Sequence, residues 1–308
     1  MTPKSDISLF IVTLLLLLLT LFSFLSNASA KEPLSKSSSP FKFIEHLKGC
    51  HKGDRVKGIN ELKKYLHKFG YLNYKNHVHF DTDDFDELLE EAIKTYQLNF
   101  HLKATGVLDD KTVSKMMMPR CGMPDIINFS SSMRSTRINR GSIHINSVHY
   151  SFPDGNPKWS SAKFNLTYGF LASTPSQAMG PVAKAFATWA KNTHFKFSKA
   201  QSGSADLKIS FERRAHGDQY PFNGPGGELA HAFYPPDGRL HYDAEESWSA
   251  GPKPGTYDLE SVALHEIGHL LGLGHSSIEG AAMYPIIPEG QSLSLKGDDL
   301  QGIKALYG

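Results

Sequence analysis

The sequence predicts an α+β protein in which a small three-helix domain precedes a larger domain with a twisted mixed sheet and flanking helices. Apolar residues recur at helical spacing between residues 43 and 118, which is typical of a small helical bundle. Strand-like and helical segments then mix without a strict repeat between residues 163 and 211, and another helical pattern follows at residues 263–271. With 308 residues, the chain is long enough for two domains that each bury a core.

The N-terminus has the pattern of a secretory signal. Lys4 precedes an apolar run at residues 9–25, and the small residues ASA follow at residues 28–30. We therefore predict a signal peptide at residues 1–30 and secretion to the extracellular space or the cell wall and apoplast. Because the apolar run is nearly long enough to span a bilayer, an uncleaved N-terminal membrane anchor is the open alternative. Acceptor sites for N-glycosylation stand at Asn128 and Asn165.

A stretch rich in Ser, Lys and Pro at residues 31–40 predicts a flexible leader, and three helices are predicted after it. Their apolar residues are Ile59, Leu62, Tyr65 and Leu66 in the first helix, Leu88, Leu89, Ala92, Ile93 and Tyr96 in the second, and Val113, Met116 and Met117 in the third. Each set recurs at the three- and four-residue spacing that places side chains on one helix face. We expect these helices to pack as a bundle.

The larger domain begins with two predicted strands, at residues 163–168 and 205–211, in which apolar and polar side chains alternate. A helix is predicted between them at residues 178–189. Its apolar residues keep helical spacing, and Pro181 lies near its start, where proline is tolerated.

A group of potential metal ligands lies between the second strand and the next helical pattern. It consists of His216, Asp218, His231 and His241. Three imidazoles and a carboxylate are enough to close a tetrahedral zinc site without an open position, which is typical of structural zinc. The alternative is that these histidines are only solvated or hydrogen-bonded within the fold.

The segment HEIGHLLGLGH, which begins at His265, has the spacing of a three-histidine catalytic zinc site. His265 and His269 stand four residues apart, so they project from one face of a helix toward a common ion. Gly272 and Gly274 permit a turn that brings His275 back as the third ligand. Three neutral imidazoles leave a fourth coordination position for water, as catalytic zinc sites do.

Glu266 follows the first histidine and projects in a different direction. It is therefore placed to accept a proton from the catalytic water rather than to bind the ion. The same helix is predicted to have an apolar face that packs in the core. That face contains Ala263, Leu264, Ile267, Leu270 and Leu271.

The chain has only two cysteines, Cys50 and Cys121, and the second lies in the segment PRCGMPD. A thiolate is a strong zinc ligand, so Cys121 would displace the water that catalysis needs. Arg120 and Asp125 flank it, and we expect them to form an ion pair that holds the loop. In an oxidising compartment a Cys50–Cys121 disulfide is the alternative interpretation.

A polar stretch at residues 130–147 carries three arginines and is predicted to be the site of proteolytic activation. These are Arg134, Arg137 and Arg140. Cleavage there would release Cys121 from the zinc. We therefore predict a propeptide at residues 31–146 and a catalytic domain at residues 147–308.

Three motifs together resemble those of the matrixins, or matrix metalloproteinases, of the metzincin clan. They are the PRCGMPD segment, the pattern HExxHxxGxxH with a following serine, and the segment AMYP at residues 282–285. The resemblance covers residues 43–308. It implies a zincin catalytic domain with an active-site helix, a cysteine switch in which Cys121 binds zinc in the zymogen, and a methionine turn with Met283 beneath the zinc. The short loop at residues 235–240 and the absence of a hemopexin-like domain resemble the plant members.

Other sites are implied by the resemblance alone. Matrixins carry structural zinc at the positions of the His216 cluster, and calcium in the loop that follows. The implied calcium ligands are Asn223, Gly224, Gly226, Glu228, Asp243 and Glu246. Asn223 stands where relatives have aspartate, so a weaker calcium site is expected.

One aspartate of the pair Asp298 and Asp299 is implied to receive the new N-terminal ammonium after activation. The region around Tyr96 resembles the peptidoglycan-binding-like fold of matrixin propeptides, for which glycan binding is the alternative.

The resemblance and the ligand spacing together predict a zinc endopeptidase that acts on extracellular proteins or peptides. We expect an extended substrate to pair with residues 229–232 as an added edge strand. An activating protease and a monomeric state are also expected. The net charge of +2, without a basic cluster, gives no reason to expect a nucleic-acid partner. The alternatives are a binding protein that cleaves nothing, and a zinc hydrolase acting on amides that are not peptides.

Overall fold

The computed structural model describes residues 39–75, 77–127, 149–201 and 203–308. The predicted signal peptide, most of the leader, the glycosylation site at Asn128 and the arginine-rich loop lie outside these ranges. Within the parts of the chain that the structure describes, no helix is long and apolar enough to cross a membrane. The second glycosylation site, Asn165, is exposed at the first position of a strand.

Three helices form the N-terminal part, as predicted. They are α1 (Ile59–Lys68), α2 (Glu87–Asn99) and α3 (Asp110–Met116), with 3₁₀ turns at Lys42–Leu47 and His77–Asp81. Asp86 begins α2 by accepting a hydrogen bond from the Leu89 N–H at 2.8 Å, a side-chain cap that satisfies one of the free N–H groups at a helix start. All five apolar residues of the second predicted helix lie in α2, but the Leu88 side chain is 53% exposed, while Leu89 beside it is fully buried.

The larger part contains a five-stranded sheet, a two-stranded sheet and three more helices. The strands are β1 (Asn165–Phe170), β2 (Lys196–Lys199), β3 (Leu207–Glu212), β4 (Ala230–Ala232), β5 (Arg239–Asp243), β6 (Trp248–Ser249) and β7 (Tyr257–Asp258), and the helices are α4 (Ser176–Asn192), α5 (Leu259–Leu270) and α6 (Gly297–Tyr307). The large sheet has the order β2-β1-β3-β5-β4. All its pairs are parallel except β4 with β5. This is the predicted α+β architecture with a mixed sheet.

The strand β4 lies at the edge of the large sheet and is only three residues long. Its pairing with β5 places His231 opposite His241. Because β4 has a sheet neighbour on one side only, its other side offers backbone groups to an added strand.

Helix α5 carries the HExxH sequence and is anchored at both ends. Asp258 caps its start by accepting hydrogen bonds from the N–H groups of Glu260 and Ser261. Gly272, with φ of 97°, follows its end in a conformation that suits glycine. The indole of Trp189 on α4 donates a hydrogen bond of 2.9 Å to the Leu264 carbonyl, which fixes α5 against α4.

The predicted apolar face of α5 is confirmed, and the opposite face is buried as well. Every residue of α5 except Glu260 is buried. The histidine face is covered because the segment around Cys121 lies over it, and Cys121 itself is fully buried.

Candidate active site

Three histidines and one cysteine converge at the centre of the larger part. The Nε2 atoms of His265 and His269 are 3.1 Å apart, and Sγ of Cys121 lies 3.5 Å from Nε2 of His269. With His275, these four residues offer ligand atoms that all lie within 4.8 Å of one another. The four-residue spacing on α5 and the turn after Gly272 thus bring together the residues that the sequence predicted.

Each histidine of this cluster is oriented by a hydrogen bond from its other ring nitrogen. Nδ1 of His265 donates to the Ala282 carbonyl, and Nδ1 of His269 donates to the Leu273 carbonyl, both at 2.7 Å. Nδ1 of His275 lies 2.7 Å from a carboxylate oxygen of Asp125. With Nδ1 protonated, each Nε2 presents a lone pair to the centre, which is the arrangement that zinc ligation requires.

The surroundings of the cluster keep its histidines neutral. Burial lowers the pKa of His265 to about 3, and burial lowers the pKa of His269 well below its usual value. Nε2 of His275 is buried and has no hydrogen-bond partner among the described residues. Neutral imidazoles with a converging, unpartnered nitrogen fit a bound zinc ion.

Glu266 lies fully buried beside the cluster, and neither of its carboxylate oxygens has a hydrogen-bond partner among the described residues. Burial raises its pKa to about 8, an effect that the Cys121 side chain partly offsets. A desolvated carboxylate with a raised pKa has the properties of a general base that works near neutral pH.

Met283 packs directly against α5. The Met283 side chain is 1% exposed. A Cβ atom added at Gly268 would clash with its Sδ atom and lie 3.0 Å from its Cε atom. The turn that carries it is held by Asp299, which accepts hydrogen bonds of 3.0 Å from the N–H groups of Ala282 and Met283. The same turn provides the carbonyl that orients His265.

Residues 119–125 around Cys121, which we call the switch segment, are held by an ion pair, as expected. Arg120 and Asp125 are both buried and lie 2.6 Å apart. The guanidinium also stacks on the Phe69 ring at 3.6 Å. Both Cys50 and Cys121 are free thiols, so the disulfide interpretation is wrong in this structure.

The same segment occupies the cleft in the manner of an added strand. The Arg120 N–H donates to the Gly227 carbonyl at 3.0 Å, and the Leu229 N–H donates to the Arg120 carbonyl at 2.9 Å. The Gly122 N–H donates to the Ala230 carbonyl at 2.8 Å. The backbone groups that an extended substrate is expected to use are therefore taken by the chain's own segment.

A second cluster lies near β4 and β5. Asp218 places one carboxylate oxygen 2.9 Å from Nε2 of His216 and 3.0 Å from both Nε2 of His231 and Nδ1 of His241. Burial alone would raise the pKa of Asp218, but the Tyr220 N–H and the histidines bring it down to about 2. Three imidazoles around one carboxylate fit a closed, four-ligand zinc site.

Comparisons with known proteins agree with this geometry. A family model described as "Matrixin" matches residues 158–308, and a model described as "Putative peptidoglycan binding domain" matches residues 55–116. Metalloendoproteinase 5-MMP of Arabidopsis thaliana is 41% identical, over 96% of this chain and 87% of its own length. Metalloendoproteinase 1 of Glycine max is 42% identical, over 92% of each chain. Neutrophil collagenase of Homo sapiens is 35% identical, over 89% of this chain and 56% of its own length. The chain belongs to the matrixin family.

As a matrixin, the protein is a metalloendopeptidase, a hydrolase that acts on proteins or peptides. The matrixin family depends on zinc, and the histidine clusters are where this chain offers ligands. The match at residues 55–116 agrees with the predicted peptidoglycan-binding-like fold of a matrixin prodomain.

The implied calcium ligands of this matrixin come from two segments, the loop before β4 and the end of β5 with the turn after it, and their side chains have different neighbours. Glu246 accepts a hydrogen bond of 2.7 Å from the Gly226 N–H, and Asn223 accepts one of 3.0 Å from the Glu228 N–H. One carboxylate oxygen of Asp243 is buried and without a partner among the described residues, and burial raises its pKa. Oε1 of Glu228 lies 2.6 Å from Nζ of Lys68 on α1 and accepts a hydrogen bond of 3.2 Å from Nδ2 of Asn223.

The aspartate pair of α6 divides into two different roles. Asp299 uses both oxygens for backbone N–H groups, including that of Lys296 at 2.7 Å. Asp298, in the first turn of the helix, accepts a hydrogen bond of 2.6 Å from the Ser276 hydroxyl. Asp299 therefore holds the turn that carries Met283, whereas Asp298 contacts Ser276.

Sequence reasoning missed residues that complete the site from the propeptide side. It did not predict that Asp125 reaches His275, or that Lys68 reaches Glu228. Asp125 was recognisable from the switch motif, but only for its pairing with Arg120. For Lys68 the sequence gives no signal, because it is one of several polar residues on an amphipathic helix.

Proposed function

We propose that this matrixin is a secreted zinc endopeptidase made as a cysteine-switch zymogen. The observation that carries the proposal is that the Cys121 thiol lies beside three Nδ1-anchored histidines, with ligand atoms of all four residues within 4.8 Å of one another. Residues 1–30 would be the signal peptide, residues 31–146 the propeptide and residues 147–308 the catalytic domain. The secreted product would be a monomer, glycosylated at Asn128 and Asn165.

A zinc ion held by His265, His269 and His275 would supply a Lewis acid that polarises the scissile carbonyl and acidifies the attacking water. Glu266 accepts the proton of that water, since it is buried beside the ligands with both carboxylate oxygens free. It later delivers the proton to the departing amine. Water adds directly to the carbonyl, so no covalent bond to the chain forms.

The edge strand β4 aligns the substrate. The carbonyls of Gly227 and Ala230 and the N–H of Leu229 are the groups that the switch segment uses, and a substrate strand would take them over once the propeptide leaves. Met283 would support the metal site from below, because it packs on α5 and its turn orients His265.

Latency follows from the position of Cys121. Its thiolate would fill the coordination place that the attacking water needs. The buried pair of Arg120 and Asp125 stabilises this arrangement. Cleavage of the loop at residues 130–147 by an activating protease would remove the propeptide and open the cleft.

Two further metal sites belong to the proposal. His216, Asp218, His231 and His241 would hold a structural zinc ion. Calcium would bind between the loop before β4 and the end of β5, where the ligands would be Asn223, Gly224, Gly226, Glu228, Asp243 and Glu246. Glu228 would contribute its backbone carbonyl there, since its carboxylate lies at Lys68. The buried carboxylates of Asp243 and Glu246, whose pKa burial raises, support a hard cation there.

The test is hydrolysis of a quenched fluorescent peptide with leucine after the scissile bond, before and after treatment with a mercurial or trypsin. We expect activity only after treatment, and loss of that activity with a zinc chelator. The Glu266→Ala variant should lose about 100- to 10,000-fold in kcat. If treated wild type cuts no better than Glu266→Ala, the peptidase proposal fails for such substrates.

A further inference from the structure

An ion pair joins the propeptide to the cleft beside the candidate metal site. Nζ of Lys68, the last residue of α1, lies 2.6 Å from Oε1 of Glu228. The Glu228 side chain is 1% exposed, whereas Lys68 is 29% exposed. Both residues line an open crevice of about 240 Å³ between the propeptide and the catalytic part. The carboxylate is thus buried by the propeptide rather than by the catalytic fold alone.

The Glu228 carboxylate faces the path of the switch segment. Arg120 pairs with Glu228 as a parallel bridge, and Gly122 follows two residues later. A Cβ atom added at Gly122 would lie 2.9 Å from Oε2 of Glu228. The carboxylate therefore lies within the groove in which the segment runs. Oε1 of the Glu228 carboxylate also accepts a hydrogen bond of 3.2 Å from Nδ2 of Asn223.

The two oxygens of the Glu228 carboxylate differ in their hydrogen bonding. Oε2 of Glu228 is buried and without a hydrogen-bond partner among the described residues. A desolvated carboxylate without a full set of partners gains more from an added cation than an exposed one does.

Loss of the propeptide would remove both cations from this groove. Lys68 and Arg120 belong to the propeptide, while Glu228 and the nearby Asp243 stay with the catalytic domain. The Glu228 carboxylate beside Leu229 would then lack both of the side-chain cations that the propeptide supplies. An extended substrate on β4 passes the same place, because it uses the backbone groups that Arg120 and Gly122 use in the zymogen.

We propose that Glu228 is a specificity residue of the activated enzyme, selecting substrates that place a lysine or arginine side chain in the groove beside Leu229. Lys68 then serves in the zymogen as the internal counterpart of that substrate side chain. The inference rests on the proposed function, since it requires that the propeptide leaves and that an extended peptide takes its place. A basic side chain reaching the buried Glu228 should raise kcat/KM by about tenfold, the effect of one charge-assisted hydrogen bond.

The experiment uses full-length protein activated by proteolysis and a set of quenched peptides. One lysine is moved through each position on either side of the scissile bond of a neutral peptide, and norleucine at the same position is the uncharged partner. We expect the wild type to prefer lysine over norleucine by about tenfold at a position next to Leu229. Glu228→Gln should abolish this preference, so that this variant cuts the lysine and norleucine peptides with equal kcat/KM.

A matched control is Glu279→Gln. Glu279 also faces a propeptide lysine, Lys115 at 3.5 Å, but its side chain is 78% exposed. This variant should keep the lysine preference. As a second variant, Glu228→Lys should prefer glutamate to norleucine at the same position.

The outcomes separate this inference from the proposed function. Equal kcat/KM for lysine and norleucine at every position in the wild type would overturn the role of Glu228 and leave the peptidase intact. A preference that persists in Glu228→Gln would overturn it too. No cleavage of any peptide by activated wild type would instead count against the proposed function. If Glu228→Gln fails to fold, Glu228→Lys tests the same role, and a lysine preference that persists in Glu228→Lys would overturn it.

Discussion

Nδ1 of His275 lies 2.7 Å from a carboxylate oxygen of Asp125, so a residue of the Cys121 segment orients one of the candidate zinc ligands. The other two histidines of the cluster are oriented by carbonyls of the catalytic part. Asp125 binds Arg120 through the same carboxylate oxygen. One carboxylate therefore connects Arg120 to His275, and the Cys121 segment contributes a second side chain to the candidate site besides its thiol.

Removing this carboxylate should loosen the switch. Asp125→Ala leaves the Arg120 guanidinium buried without its partner, which typically costs about 3–5 kcal/mol for a buried pair. We expect the cost to fall on the docked segment, so Cys121 should react with a thiol reagent at least about tenfold faster than in the wild type. The reaction is measured in a Cys50→Ala background, in which Cys121 is the only cysteine. Unchanged reactivity would show that Asp125 does not hold the segment in place.

The two lysines that join the propeptide to the catalytic part should differ in their effect on latency. Lys68→Ala leaves the buried Glu228 without its cation, whereas Lys115→Ala breaks a pair whose acid is 78% exposed. Exposed pairs contribute little because water and salt screen them. The rate of activation by a fixed mercurial concentration should rise several-fold for Lys68→Ala and stay within about twofold of wild type for Lys115→Ala. Equal rates for the two variants would contradict this ranking.

Much of the fold and of the ligand set could be predicted from local sequence patterns. The helices around Ile59, Leu89 and His265 follow from spacing, and the ligands of α5 follow from a four-residue interval. Asp125 and His275 are 150 residues apart, and their contact depends on how the switch segment docks. No local periodicity encodes such a contact. The exposure of Leu88 is a similar case, since helical spacing alone could not tell whether it or Leu89 would face the core.

Tight packing between α5 and the methionine turn makes Gly268 sensitive to substitution. A Cβ atom there would lie 3.0 Å from Cε of Met283 and 3.4 Å from the Trp189 ring. Gly268→Ala should lower the free energy of unfolding by about 1–3 kcal/mol, despite the better helix propensity of alanine. Gly297→Ala is the control, because its added Cβ atom has only one neighbour within 4 Å, Gln301 at 3.9 Å. Thermal unfolding of both variants measures the difference, and a Gly268→Ala protein as stable as Gly297→Ala would refute the packing argument.

Zinc content distinguishes the two histidine clusters. We expect about two zinc ions per chain in the wild type and about one in Asp218→Ala, since Asp218 contacts all three histidines of its cluster. Asp218→Ala should keep peptide hydrolysis but unfold at a lower temperature, as loss of a structural metal predicts. His269→Ala should also hold about one zinc ion, but without activity. Two zinc ions in Asp218→Ala would exclude this cluster as a zinc site.

The aspartates of α6 should have separable functions. Asp299→Ala leaves three N–H groups without their acceptor, those of Ala282, Met283 and Lys296. Its free energy of unfolding should fall by about 3 kcal/mol or more, because unsatisfied buried N–H groups are costly. Asp298→Ala removes only the partner of the Ser276 hydroxyl and should cost about 1 kcal/mol.

Asp298 and Asp299 should also differ in how they affect the activity of products that begin at different N-terminal residues. If the new N-terminal ammonium binds Asp298, a product trimmed to the fitting N-terminus should be more active than one a few residues longer, and Asp298→Asn should remove that difference. Asp299→Asn should lower the activity of both products together, since it acts through the methionine turn. A length dependence that survives in Asp298→Asn would assign the ammonium to another acceptor.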